Sequence, residues 1–360
     1  MGWTQRYADG AFVSAPSWTS GPRAADRDYT RVGANLGVIT YRMGNLFGAA
    51  LVAALLLAPQ LARADMSLSG DMLGSVRSYR ATYDDTLLDL ARDNGLGYVE
   101  IVAANQGVDP WVPGAGTDLV LPTGHLLPDA PRSGIVINLG EHRLYYYSPN
   151  GIKTYAIGVG REGWETPLGS TSIVRKMKNP IWFPPDSIRQ EHPELPKVVR
   201  AGPANPLGRH ALYFGWPSYL VHGTNMPWGV GRRVSHGCIR LYPESIETLF
   251  NEVAVGTPVQ VIDQPIKIGW FAGELYLEVY PEPEQADELE REGKILSVAK
   301  RSNSDAYYKL RSRAGAHLPR LDWPAIRNAL TQRTGLPVRV TSPSHALNST
   351  EPSHALNSAE

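Results

Sequence analysis

A single cysteine, Cys238, stands in a chain of 360 residues. An internal disulfide is therefore impossible, and so is a structural zinc site built from several thiolates. Neither sign of charge is in excess: 35 Lys and Arg balance 35 Asp and Glu. No basic field draws the protein to nucleic acid or anionic lipid, and neither is an expected partner. Charged residues make up only 19% of the chain against 42% hydrophobic, which excludes disorder throughout and allows one good-sized core with smaller modules. Long apolar runs are missing too. The stretch at 46–59, LFGAALVAALLLAP, is too short to span a bilayer comfortably. It suits the h-region of a signal peptide, followed by Ala62-Arg63-Ala64 as small residues for cleavage near Asp65. The residues before it are long and polar for an n-region, and Met43 is the more natural start. The chain is therefore read as exported, with membrane contact only through that segment. An unpaired thiol in an oxidising compartment is a liability unless it has a use. The bland alternative for Cys238 is a small buried hydrophobe.

Five stretches follow one another. Residues 1–64 form the N-terminal extension and signal peptide. Residues 79–123 read as strand (79–82), helix, helix and strand: Leu87, Leu88, Leu90 and Ala91 suit one face of a helix begun by Asp84 or Asp85 and stopped by Gly95. Val99, Ile101 and Val102 lead a second helix to about Asn105. After a proline-flanked linker, residues 134–263 become β-rich, with short Val, Ile, Tyr and Thr runs divided by Gly, Asn and Pro. Asn150-Gly151 marks a hairpin. One helix stands out there, opened by Pro243 and carrying Ile246, Leu249, Phe250 and Val253. Residues 264–340 form a mixed extension: a hairpin at 269–280, a helix over 284–300 and another over 324–333 stopped by Gly335. The tail, 341–360, repeats PSHALNS and is read as disordered, its His345 and His354 as incidental. GVGREG at 158–163 has no helix after it and is not expected to cradle phosphate.

Chemistry concentrates in VHGTNMPWGVGRRVSHGCIRL, residues 221–241, with two histidines, the cysteine and four glycines. A thiol attacks as thiolate, and a pKa of about 8.5 leaves little of it near neutral pH, so Cys238 needs a partner. His236 is two residues away, but Gly237 between them blurs which side it faces. His222, at the end of an expected strand, can meet the thiol across the folded-back loop and is preferred as base. Its other nitrogen needs an acceptor, and no acidic residue occurs between Leu220 and Tyr242; the carbonyl of Gly223 is the expected one. Gly237 would let its own N–H and that of Cys238 approach a developing oxyanion. Two bland alternatives compete. His222, His236 and Cys238 could be zinc ligands, but no fourth ligand or nearby carboxylate accompanies them. Alternatively Cys238 is core and both histidines merely satisfy loop backbone.

The pattern His222-Gly223-Thr224, a glycine-rich stretch, then Ser235-His236-Gly237-Cys238-Ile239-Arg240 resembles the signature of the L,D-transpeptidase (YkuD-type) catalytic domain. The likeness covers about 130 residues, with TPLG at 166–169 and NPLG at 205–208 resembling stretches that flank the cleft. It implies a mainly β fold, a β-sandwich-like catalytic domain with one packed helix, preceded by a small α/β module and followed by a mixed α/β extension. It implies Cys238 as nucleophile and His222 as proton donor and acceptor. Ser235, His236, Gly237 and Gly223 would shape the oxyanion site, and Arg240 and Thr224 would meet substrate. Neither metal nor organic cofactor is implied. Expected partners are peptidoglycan stem peptides in the periplasm and, since the stretch after 263 resembles enzymes that join lipoprotein or stem peptides to the wall, a wall-anchored lipoprotein. Residues 79–123 resemble a LysM module, through Asp85-Thr86-Leu87, Ala91 and Asn105, although Asp84 stands where such modules usually have glycine. LysM modules bind the N-acetyl sugars of peptidoglycan, so a binder whose catalytic domain is idle is the competing reading, and an L,D-carboxypeptidase a third.

Overall fold

The computed structural model describes residues 70–342. The expected signal segment and cleavage point, and the repeat tail from 343 onward, lie outside the described residues. Among the described residues no helix is long and apolar enough to cross a membrane.

The N-terminal part runs β1 (Met72–Gly74), β2 (Arg77–Arg80), α1 (Leu87–Asp93), α2 (Tyr98–Ala104), β3 (Asp118–Leu121) and β4 (Gly124–Leu126). β2 pairs antiparallel with β3, which gives the strand–helix–helix–strand order; β1 and β4 add a second short pair. Thr86 opens α1, its hydroxyl accepting the Asp89 N–H at 3.0 Å. Asp85 does not, because its carboxylate is taken by the Thr82 N–H and the Tyr79 hydroxyl. Leu87, Leu90 and Ala91 of α1 and Ile101 and Val102 of α2 close a small core over Leu119 and Leu121.

The central part contains β5 (Gly134–Asn138), β6 (Arg143–Ser148), β7 (Gly151–Ala156), β8 (Val159–Gly160), β9 (Gly169–Lys178), α3 (Asp186–Glu191), β10 (His210–Phe214), β11 (Leu220–His222), β12 (Arg233–Ser235), β13 (Ile239–Arg240), α4 (Pro243–Glu252) and β14 (Pro258–Ile262). Eight strands form one sheet in the order β13-β11-β10-β9-β14-β5-β6-β7. β11 and β13 run parallel, as do β5 and β14, and the remaining neighbours are antiparallel. The sheet curls until its edges meet: Gly158, just beyond β7, exchanges two backbone hydrogen bonds of 2.9 Å with Arg240 of β13. Tyr155 and Ile157 near one edge and Ile239 at the other therefore share one core with Ile246 and Leu249 of α4. This is the mainly β domain with one packed helix that the sequence leads one to expect.

The last part comprises β15 (Ile266–Phe271), β16 (Glu274–Val279), α5 (Pro283–Glu292), α6 (Ser304–Ala314), α7 (Trp323–Gln332) and β17 (Val338–Arg339). The expected helix over 284–300 is too long. It stops at Glu292, where Gly293 adopts a left-handed φ of 66° and returns its N–H to the Leu289 carbonyl. α6 was not expected at all. The helix ending near Arg333 is α7, capped by Arg333 itself at φ 49° ahead of Gly335.

Candidate active site

Cys238 sits in the turn between β12 and β13. In the parallel pair Val221 lies opposite Ile239 and His222 opposite Arg240. Val221 and Ile239 enter the core, so alternation sends Leu220, His222, Cys238 and Arg240 to the other face. The register brings the Cys238 turn alongside the end of β11, and the side-chain contacts of the two residues go to backbone carbonyls, His222 to Gly223 and Cys238 to Ser218. The half-buried Cys238 side chain packs against the cluster of Leu207, Ala211 and Leu220, and its Sγ lies 3.5 Å from the Ser218 carbonyl.

The buried His222 ring is fixed by one contact: Nδ1 lies 2.5 Å from the Gly223 carbonyl oxygen. A carbonyl only accepts, so Nδ1 carries the proton and Nε2 keeps its lone pair. Burial, with Arg240 adding to it, holds His222 down to about 3. Burial likewise pushes the Cys238 thiol up to about 11, against the Leu220 N–H and the Arg240 charge. Both groups are therefore neutral at rest. Desolvation penalises each charged form, so this environment does not favour a standing thiolate–imidazolium pair.

Around the thiol the backbone is tightly held. Gly237 has φ 93°, and a Cβ there would lie 3.0 Å from Cε1 of Tyr219. The Thr166 hydroxyl donates to the Gly237 carbonyl at 2.8 Å, and the Ser235 hydroxyl donates to the Cys238 carbonyl at 2.6 Å. The Gly237 N–H donates to Ser235 Oγ at 3.2 Å, so the expected pair of free donors is reduced. Among the described residues only the N–H of Cys238, of the two, lacks an acceptor.

His236 is engaged elsewhere. Its Nε2 lies 3.1 Å from both Arg161 Nη2 and Glu191 Oε2, Arg161 and Glu191 pair with each other, and Trp164 meets the ring edge-on. Burial keeps this histidine low despite Glu191. Thr224 is buried, its hydroxyl accepting the Met226 N–H at 2.9 Å. Arg240 stands beside Cys238 with no carboxylate partner among the described residues, and its Nε has no hydrogen-bond partner there. Also among the described residues, no three His, Cys, Asp or Glu side chains gather as a metal cluster. Sequence reasoning missed Ser218, Tyr219, Arg161 and Glu191 altogether; for Thr166 the TPLG stretch was the available signal.

A family model described as the L,D-transpeptidase catalytic domain, YkuD, matches residues 132–261. The probable L,D-transpeptidase YcfS of Escherichia coli (strain K12) is 48% identical over 191 residues, 50% of this chain and 59% of that protein. The same strain's probable L,D-transpeptidase ErfK/SrfK is 39% identical over 266 residues, 71% of this chain and 83% of that protein. Among solved structures, the NMR structure of the catalytic domain from E. faecium L,D-transpeptidase is 21% identical, covers 38% of this chain and 100% of that one, and has a TM-score of 0.31.

Proposed function

The chain belongs to the L,D-transpeptidase family, and from that premise we propose that it is an exported, periplasmic acyltransferase acting on peptidoglycan stem peptides through Cys238 and His222. In the donor step the neutral thiol approaches the carbonyl of the L-centre of diaminopimelate in a tetrapeptide stem. His222 Nε2 takes the Sγ proton as the S–C bond forms. The oxyanion is met by the Cys238 N–H, with Gly237 joining if it lets go of Ser235. The C–N bond to D-alanine then breaks, His222 returns the proton to the leaving amine, and a thioester remains. In the second step an acceptor amine attacks the thioester, gives its proton to His222, and releases the thiol as the new amide forms.

The observation that carries this reading is the Nδ1 contact of His222 to the Gly223 carbonyl. It supports the tautomer with the proton on Nδ1, which leaves Nε2 free to act as base. Ser235, Gly237 and Gly223 shape the loop, His236 steadies it against α3, and Thr224 lines the His222 side. Arg240, lacking a carboxylate of its own among the described residues, offers its guanidinium to a stem-peptide carboxylate. Residues 79–123 act as a LysM-like module, with exposed Tyr83 and Trp111 as stacking faces for N-acetyl sugars. A second stem's diaminopimelate amine as acceptor gives a cross-link, a lipoprotein lysine gives attachment, and water gives L,D-carboxypeptidase activity.

The test incubates the purified chain with a disaccharide tetrapeptide and follows free D-alanine and muropeptide masses. Release and a cross-linked product in wild type, both absent in Cys238→Ala, are expected. Wall binding without any D-alanine release would instead mark a binder with an idle catalytic domain.

A further inference from the structure

The loop that delivers the nucleophile is gripped by two parts of the chain outside the catalytic sheet. From one side comes α2. The N–H groups that open a helix have no partner within it, and those of Tyr98 and Val99 donate to the carbonyls of Val230 and Gly231, each at 3.3 Å. The approach is so close that a Cβ on Gly231, φ 79°, would lie 2.2 Å from the Tyr98 nitrogen and 2.3 Å from the Gly97 Cα. The Arg232 guanidinium stacks 3.6 Å from the centre of the Tyr98 ring. From the other side comes α5, whose Glu290 lies 3.1 Å from Arg232 and whose Asp287 lies 3.7 Å from Arg233. The Arg232-Arg233 pair, without a role in the sequence reading, is thus the point where the two supports meet. β12 runs on from it to Ser235, whose hydroxyl holds the Cys238 carbonyl.

We propose that the helical unit before the sheet and α5 after it form a brace that sets the position of the Cys238 loop, with Tyr98, Gly231 and Arg232 as positioning residues for acyl transfer. The proposal rests on the reading of Cys238 as the acylated nucleophile. The N-terminal unit then contributes to the chemical step itself, whether or not it also holds the wall, and it does so on small substrates that never touch it. A misplacement of about 1 Å can cost up to 100-fold in rate, and the brace is what prevents it.

The test uses the full chain and measures acylation of Cys238 by a carbapenem, as maximal rate and half-saturating concentration. Gly231→Ala and Tyr98→Ala are expected to lower the maximal rate about tenfold or more while half-saturation stays within about twofold. Tyr98→Phe, which keeps the ring, is expected to retain the wild-type rate. Leu310→Ala, in the C-terminal cluster, serves as a control that lowers the melting temperature without slowing acylation. Wild-type maximal rates in folded Gly231→Ala and Tyr98→Ala would overturn the brace while leaving the nucleophile assignment intact, and so would an equal slowing in Leu310→Ala. A folded wild type that forms no adduct would overturn the nucleophile assignment and the brace with it. Should Gly231→Ala fail to fold, Arg232→Met decides by the same two parameters.

Discussion

At the scale of single residues, burial outweighs every other influence on Cys238 and His222, raising one and lowering the other. In the proposed mechanism proton transfer therefore accompanies attack, as the forming S–C bond makes the thiol proton more acidic. The sign of the pH dependence follows: with the thiol near 11, the thiolate fraction grows tenfold per pH unit throughout the neutral range. Iodoacetamide alkylation of Cys238 is expected to keep accelerating from pH 6 to about 10 without a plateau. A plateau reached by about pH 8, and lost in His222→Ala, would show a standing ion pair instead. Arg240→Met removes both a charge that favours the thiolate and the candidate carboxylate anchor. Its kcat/KM for tetrapeptide is expected to fall about tenfold or more, as steady-state D-alanine release would measure. The contact of His222 with the Gly223 carbonyl could be read from sequence because the two residues are adjacent and no acidic residue competes nearby. The contact of Glu191 with His236, 45 positions away, could not, and TPLG marked Thr166 without showing its contact with Gly237, 71 positions away. No local pattern records such a contact.

Elements were legible where period and punctuation agreed. The strands of the sheet and α4 follow from alternating runs and from Pro243 with its apolar stripe. α1 is a finer case: the sequence reading opened it at Asp84 or Asp85, but Thr86 is the cap, and only geometry shows that Asp85 is spent on Tyr79 and Thr82. Thr86→Ala is accordingly expected to cost about 1 kcal/mol, read as a shift in the denaturant midpoint, whereas Asp84→Ala should cost far less. α6 escaped notice because its polar sequence, SDAYYKLRSRA, buries only Ala306, Leu310 and Ala314. Its stability comes from the surface it lands on. Leu310 is fully enclosed there, so Leu310→Ala is expected to lose about 2–5 kcal/mol by chemical denaturation.

Over the whole molecule, the three parts that read as separate blocks in sequence share one buried ionic junction. Arg143 of β6 takes both carboxylate oxygens of Glu100 in α2, at 2.7 and 2.9 Å. Lys267 of β15 donates to Glu141 at 2.5 Å and to the Leu126 carbonyl at 2.6 Å, and pairs with Glu278 at 3.2 Å. Burial raises Glu100 to about 7 and holds neighbouring His125 well below its usual value. Removing Lys267 would strand Glu141 and Glu278 without a cation, so Lys267→Met is expected to cost roughly 3–5 kcal/mol. The loss should appear in a single unfolding transition followed by circular dichroism; two separate transitions would show that the blocks fold independently. The union of these stretches was not legible in sequence, because the ion pairs of Arg143 with Glu100 and of Lys267 with Glu141 join residues 43 and 126 positions apart. That same union carries the N-terminal unit to the nucleophile loop.

The central claim is an acyl group carried on one sulfur by an imidazole-assisted attack. Intact mass after brief mixing with a tetrapeptide stem and acid quench, followed by peptide mapping, tests it most directly. An adduct of stem mass less D-alanine is expected on the peptide bearing Cys238, abolished in Cys238→Ala and strongly reduced in His222→Ala. D-alanine release with no adduct in wild type and undiminished turnover in Cys238→Ala would contradict it.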